Sequence, residues 1–151
     1  MKTLSWPNKS QRDSFLNATL NTIGRAVDFH YVVSVSGCPI CSLDPVSNTS
    51  TDAFCAVCSG AYWLETLGVA TLSGHVTWKY SEDVVWYSAG QQVAGDCQVR
   101  INYLPETVLV VDKTRYVVID NRVMQINKVN LRGAPEVNRI IITLMEKEKS
   151  T

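Results

Sequence analysis

Two Cys-x-x-Cys pairs, Cys38-Pro-Ile-Cys41 and Cys55-Ala-Val-Cys58, stand thirteen residues apart in this chain. That spacing limits what the chain can fold into more than any other feature. A two-residue gap lets both sulfurs of a pair reach one metal ion at about 2.3 Å in tetrahedral geometry. Gly37, Pro39, Ser59 and Gly60 flank the pairs, as tight backbone turns require. The competing readings are two disulfides, or buried thiols unrelated to one another. With five cysteines the number is odd. The segment Met1–Pro7 lacks the apolar stretch of a signal peptide, so the expectation is a chain made in a cytoplasm, where disulfides are rare. Under that expectation the sequons at Asn17 and Asn48 carry no glycan. No βαβ pattern surrounds either pair, which speaks against a thioredoxin-like redox role. The expected cofactor is one zinc ion per chain, bound by Cys38, Cys41, Cys55 and Cys58.

Four thiolates close the coordination shell, whereas a catalytic zinc keeps one position open. The His-x-Glu partner of the zinc-deaminase pattern is missing. The zinc is therefore expected to be structural. Its task is legible in Ser42–Phe54, a stretch rich in Ser, Thr, Asn and Asp that cannot build a core alone. Zinc binding worth on the order of 10 kcal/mol orders such a loop.

Charge then separates the partner classes. Lys+Arg and Asp+Glu balance at 14 each, which argues against a general polyanion binder. The balance is uneven along the chain. From Ala26 to Trp78 there is no Lys or Arg, only Asp28, Asp44, Asp52 and Glu65. From Asp112 to Arg139 six basic residues face three acidic ones. Such a polar molecule is suited to stacking head to tail, on copies of itself or on other partners. A nucleic-acid-binding or regulatory zinc ribbon is the alternative function, and it wants Lys or Arg beside the metal, where this chain has only acids. No run approaches the roughly 18 apolar residues that span a bilayer, so no membrane partner is expected.

The remainder reads as one domain, 1–151, of mainly β class. Residues 10–24 form an expected helix, with Ser10 as cap, Asp13 three residues on, and Leu16, Leu20, Ile23 and Val27 on one face. Gly24 stops it. Strand alternation runs through 27–35 and returns at 70–80, where Ala70, Leu72, Gly74, Val76, Trp78 and Tyr80 share a face. Further strands are expected at 84–87, 97–103, 107–111, 115–119, 122–131 and 139–145. Asp120-Asn121 is a two-residue hairpin signal, and the apolar phase slips near Asn127 as a bulge would make it slip. Many short strands at this spacing indicate a small barrel or sandwich, formed by 27–35 and 69–145, with a zinc loop inserted at 36–62. Residues 146–151 are an expected frayed tail.

No catalytic residue is expected, and the chain is not read as an enzyme. Cys97 falls on an apolar strand face. His30 and His75 fall on polar faces, with no nucleophile and carboxylate to complete a triad. Trp78, Tyr80, Trp86 and Tyr87 suit a core or interface better than base stacking. The closing turn Arg132-Gly133-Ala134-Pro135, with Asn138 and Arg139, is either a solvated loop or an interface. In the second case Arg132, Asn138 and Arg139 would meet carboxylates of a neighbour.

Taken in order, these motifs resemble a known family. An N-terminal helix precedes Cys38-Pro-x-Cys41, then Asp44-Pro45, Thr51-Asp52, the second Cys-x-x-Cys and Ser59-Gly60. A Val- and Trp-rich strand follows, then Ala94-Gly95-Asp96-Cys97, and finally Arg132-Gly133-x-Pro135-x-x-Asn138-Arg139-Ile140. From about Ser10 to Met145 the chain resembles the zinc-containing neck proteins of tailed bacteriophages, of the head-closure or stopper type. It departs from them at Ala56, where a proline is usual, and at Asp120-Asn121, where Asp-Gly is commoner. The resemblance implies a β-barrel with a peripheral helix and an inserted zinc loop. It also implies a homo-oligomeric ring in the virion neck, assembled in the bacterial host cytoplasm. The ring would lie between portal or adaptor protein and tail or tail-terminator protein, with genome DNA passing through its channel without sequence-specific binding.

Overall fold

The computed structural model describes residues 8–78, 97–133 and 136–146 in full, and 85–87 and 90–92 by their backbone. Strands dominate, in the order α1 (Lys9–Ile23), β1 (Arg25–Gly37), β2 (Trp63–Trp78), β3 (Val85–Tyr87), β4 (Gly90–Gln92), β5 (Cys97–Asn102), α2 (Pro105–Asp112), β6 (Thr114–Ile119), β7 (Arg122–Arg132) and β8 (Arg139–Glu146). Six strands close a barrel in the order β1-β2-β5-β8-β7-β6, every pairing antiparallel. The mainly β class, the barrel, the N-terminal helix and the inserted four-cysteine loop are all present. The pair β3–β4 stands outside the barrel, bonded only to itself.

Period-two alternation fills the interior. Val27 and Phe29 of β1, Cys97, Val99 and Ile101 of β5, Val117 and Ile119 of β6, Met124 of β7 and Ile140, Ile142 and Leu144 of β8 are fully or almost fully buried. Leu72, Val76 and Trp78 of β2 lean on the same core, as their alternation predicts, whereas Tyr80 lies outside the described residues. Gly74 of β2 is closely approached by side chains of β5. A Cβ there would come within 2.9 Å of Val99 and 3.0 Å of Ile101, so only glycine leaves room for them.

The β6–β7 hairpin turns at Asp120-Asn121, which adopt φ values of 49° and 64°, the two left-handed residues of a type I′ turn. Asn121→Val is expected to cost about 1–2 kcal/mol, the penalty of a β-branched side chain in that region. Urea unfolding measures it, and an unchanged midpoint would show that the hairpin tolerates another turn. The slip near Asn127 is also present, with β7 and β8 changing register between Ile126 and Lys128.

Three sequence expectations are corrected. Thr107–Val111 is not a strand but the body of α2. Pro105 stands at its first turn with the φ a helix needs, Leu104 before it is extended, and Glu106 suits the helix N-terminus. Thr107 and Val111, one turn apart, then face the core together. The cap of α1 is Asn8, not Ser10. Asn8 Oδ1 accepts from Gln11 N (2.9 Å) while Gln11 Oε1 accepts from Asn8 N (3.1 Å), a reciprocal pair that Ser10 and Asp13 do not form. Val27, assigned to the apolar face of that helix, belongs to the barrel interior. No residue of α1 is fully buried; the helix lies on β2 and β5, tied by Asn102 Nδ2 donating to Asn17 Oδ1.

The positioning of the cysteine loop follows from unequal pairing. β1 bonds to β6 only over Asp28–Tyr31, and β2 bonds to β5 only over His75–Trp78. Beyond those limits β1 and β2 continue together, with Val32 opposite Leu67 and Gly37 opposite Trp63, as a two-stranded arm. Six residues of strand carry it about 20 Å away from the barrel. At its base Val32 N donates to Lys113 O (3.0 Å), and Arg115 of β6 grips Glu65 of β2 with both guanidinium ends (Nε to Oε2, 2.8 Å).

Candidate metal centre

At the end of the arm the chain folds back on itself before β2 begins. Cys38 N donates to Tyr62 O (2.8 Å), joining the two ends of the loop. Leu43 and Ser50 pair across its middle, and Ser50 N donates to Gly60 O (3.0 Å). The second knuckle needs a left-handed turn, supplied by Ser59 (φ 48°) and Gly60 (φ 85°). A Cβ on Gly60 would lie 2.9 Å from Ala53 O, so this position demands glycine on both counts. The loop has almost no apolar interior, only the cysteines themselves with Tyr62 and Leu64 against them.

The four sulfurs converge. Cys38 Sγ lies 3.9 Å from Cys55 Sγ, Cys41 Sγ lies 3.9 Å from Cys58 Sγ, and all four fall within 4.8 Å of one another. A tetrahedron of metal–sulfur bonds of about 2.3 Å has sulfur–sulfur edges of about 3.8 Å. The spacing therefore fits four thiolates round one ion, and it is far too long for disulfides at about 2.05 Å. The structure brings together all four cysteines named from the sequence, Cys38, Cys41, Cys55 and Cys58. Among the described residues no other group of three or more His, Cys, Asp or Glu side chains could hold a metal ion.

The thiols do not ionise alike. Cys41 is pushed up to about 12, first by its hydrogen bond to Cys55, and that same contact lowers Cys55. Burial raises Cys58, but the N–H groups of Tyr62 and Gly60, with Cys55 and Ser50, outweigh it and bring Cys58 down to about 6. Backbone donors aimed at sulfur are what a metal-binding knuckle requires, because the ligand is the thiolate. Ser50, buried under the cluster, was not singled out from the sequence. A serine in a serine-rich loop carries no signal of its own.

The remaining sequence candidates lie elsewhere. Arg132 ends β7 opposite Arg139, the first residue of β8, and Asn138 N donates to Arg132 O (3.1 Å) to close the turn. Ala134 and Pro135 lie outside the described residues, as does most of the Ala94–Cys97 turn. Two polar atoms here have no hydrogen-bond partner although they are buried, Asn138 Oδ1 and Arg139 Nε. His30 stacks on Tyr116 with ring centres 4.3 Å apart, and His75 is half-buried beside α1. Cys97 is fully buried in the barrel. No described helix is long and apolar enough to cross a membrane. No family model, curated protein or solved structure matches this chain.

Proposed function

We propose that this chain is a structural protein of a tailed-phage neck, a ring-forming subunit that closes the DNA-filled head and connects portal or adaptor to tail. The observation that carries the reading is a closed barrel with a flanking helix and an arm tipped by four converging cysteines. The order of motifs from the N-terminal helix to Ile140 implies the barrel, the peripheral helix and the inserted cysteine loop; the arm that carries the loop is a feature of the fold. Zinc is the proposed metal, since four thiolates in a tetrahedron satisfy its preferred geometry and leave no position for substrate. Its role is to hold the arm tip in shape. The work of the protein is then mechanical, with no catalytic step.

The distribution of charge supports assembly over nucleic-acid binding. A divalent ion with four thiolates carries a net charge of −2, and the segment from Ala26 to Trp78 adds only acids. DNA would pass such a tip without being gripped. Native mass spectrometry of the purified protein, alone and with a portal–adaptor ring, tests the reading. The expected result is one zinc per chain, with a ring formed by the chain itself or on the portal–adaptor complex. A protein that stays monomeric at high concentration and low salt, and ignores that complex, would sink it. Nucleic acid retained through purification and shed steeply with salt would favour the zinc-ribbon alternative.

A further inference from the structure

The arm tip carries apolar side chains that pack against nothing. Phe54 is 96% exposed, Val46 93% and Ile40 72%. The first two are held outward by turns of their own. Asp52 Oδ1 accepts from Phe54 N (3.0 Å), and Asp44 Oδ1 accepts from Val46 N (2.9 Å). A bare phenylalanine adds nothing to the stability of its own chain, and a fixed one has the properties of an interface anchor. The acid that fixes each turn sits beside its apolar residue, no Lys or Arg is near in sequence, and the thiolate–metal site is anionic. The surface that complements this tip is apolar and basic.

The same chain carries that surface. Along α1, where the helix lies on β2 and β5, runs a groove in two compartments of about 640 Å³ and 190 Å³, which share Leu16 and Asn102. The larger compartment holds acids and bases together, Asp13 and Glu136 with Lys9 and Arg12. The smaller one, walled by Phe15, Leu20 and Ile23 of the helix and lined by Arg100 and Arg139, has no acidic residue and is the part that matches the tip. Phe15 is itself 73% exposed. Asn138 and Arg139 line the two compartments, and each keeps one buried polar atom without a hydrogen-bond partner.

We infer that the arm tip of one copy docks in the α1 groove of a second copy, Phe54 entering beside Phe15 and Leu20 while the tip's acids meet Arg100 and Arg139. Tip and groove are different surfaces, so the contact is head-to-tail. Repeated contacts of that kind close into a ring or run on as a filament. The inference rests on the ring reading for its closed form, and it names the joint between subunits.

Complementation tests it. Phe54→Ala removes the anchor and Phe15→Glu puts an acid in the groove; both positions are exposed, so metal content and melting temperature should match the parent. Sedimentation over a range of concentrations should show wild-type association that weakens with salt. Each variant alone should associate at least about tenfold more weakly. Their equimolar mixture has one intact tip and one intact groove per pair, and should form dimers that go no further. Variants that assemble as the parent does, or a mixture that stays monomeric, would overturn the docking site and leave the neck reading standing. Wild-type protein that is monomeric throughout and also ignores the portal–adaptor ring would overturn both.

Discussion

Cys38→Ser should abolish stoichiometric metal binding and unfold residues 38–62 while the barrel remains folded. The tip has no other apolar interior: its buried centre is the cysteine cluster with Tyr62 and Leu64, and its hydrogen bonds alone do not replace a core. Zinc bound by small modules contributes roughly 10–16 kcal/mol at neutral pH, and a serine hydroxyl does not replace a thiolate as fourth ligand. The barrel is independent of this site, since its buried core draws no residue from the loop. Metal per chain from native mass spectrometry should therefore fall from one to a small fraction. Amide exchange should rise sharply at Cys38, Ser50, Ser59 and Ala61, whose N–H groups bond within the loop. Protection along β5 and β8 should stay as it was. Loss of protection in the barrel as well would mean that arm and barrel are one cooperative unit.

Phe29→Ala is expected to produce the opposite pattern. Phe29 is fully buried, flanked by Ala70 of β2 and Val117 of β6 at the seam where the barrel closes. Truncating a buried phenylalanine costs about 3–5 kcal/mol through lost transfer energy and the cavity left behind. Set against a total stability of about 5–15 kcal/mol, that is a large share. For a chain of this size the midpoint of melting should drop by roughly 10 °C. Below that midpoint the variant should still bind one metal ion per chain. Calorimetry with metal analysis reads both, and a drop under about 1 kcal/mol would show that the interior is loosely packed at Phe29.

The cysteine cluster was legible because its spacing is itself the geometry: two residues between sulfurs specify a knuckle wherever the chain places it. Alternation in β1, β2, β5 and β8 was legible for a similar reason, since each has one face inside the barrel. Asp120-Asn121 announced its turn through residues that tolerate positive φ. By contrast, Thr107–Val111 is a short apolar run that satisfies strand and helix alike, and the deciding signal was Pro105 ahead of it. Asn8 and Ser10 compete for one cap, and the choice falls to whichever has its reciprocal partner three residues on. The arm was not legible at all. β2 begins at Trp63, seven residues before the alternation read from the sequence, because Glu65 falls in phase with Trp63 and Leu67 and breaks the pattern there, and nothing local says that β5 will stop short of them. The groove along α1 escaped for the same reason, because it depends on where a weakly amphipathic helix comes to rest.

The seam between β1 and β6 has a kinetic meaning. It joins Asp28 to Val118, and the barrel cannot close until β1 has first found β2 across the 25 residues that separate Gly37 from Trp63. Tying off a loop of that length costs about 3 kcal/mol in chain entropy. A metal ion that gripped both knuckles would meet most of that cost before any strand had paired. The β1–β2 ribbon would then become a nearly local hairpin, and the order of events would run from the tip inward. An ion far from the core would thus set the pace at which the core is built.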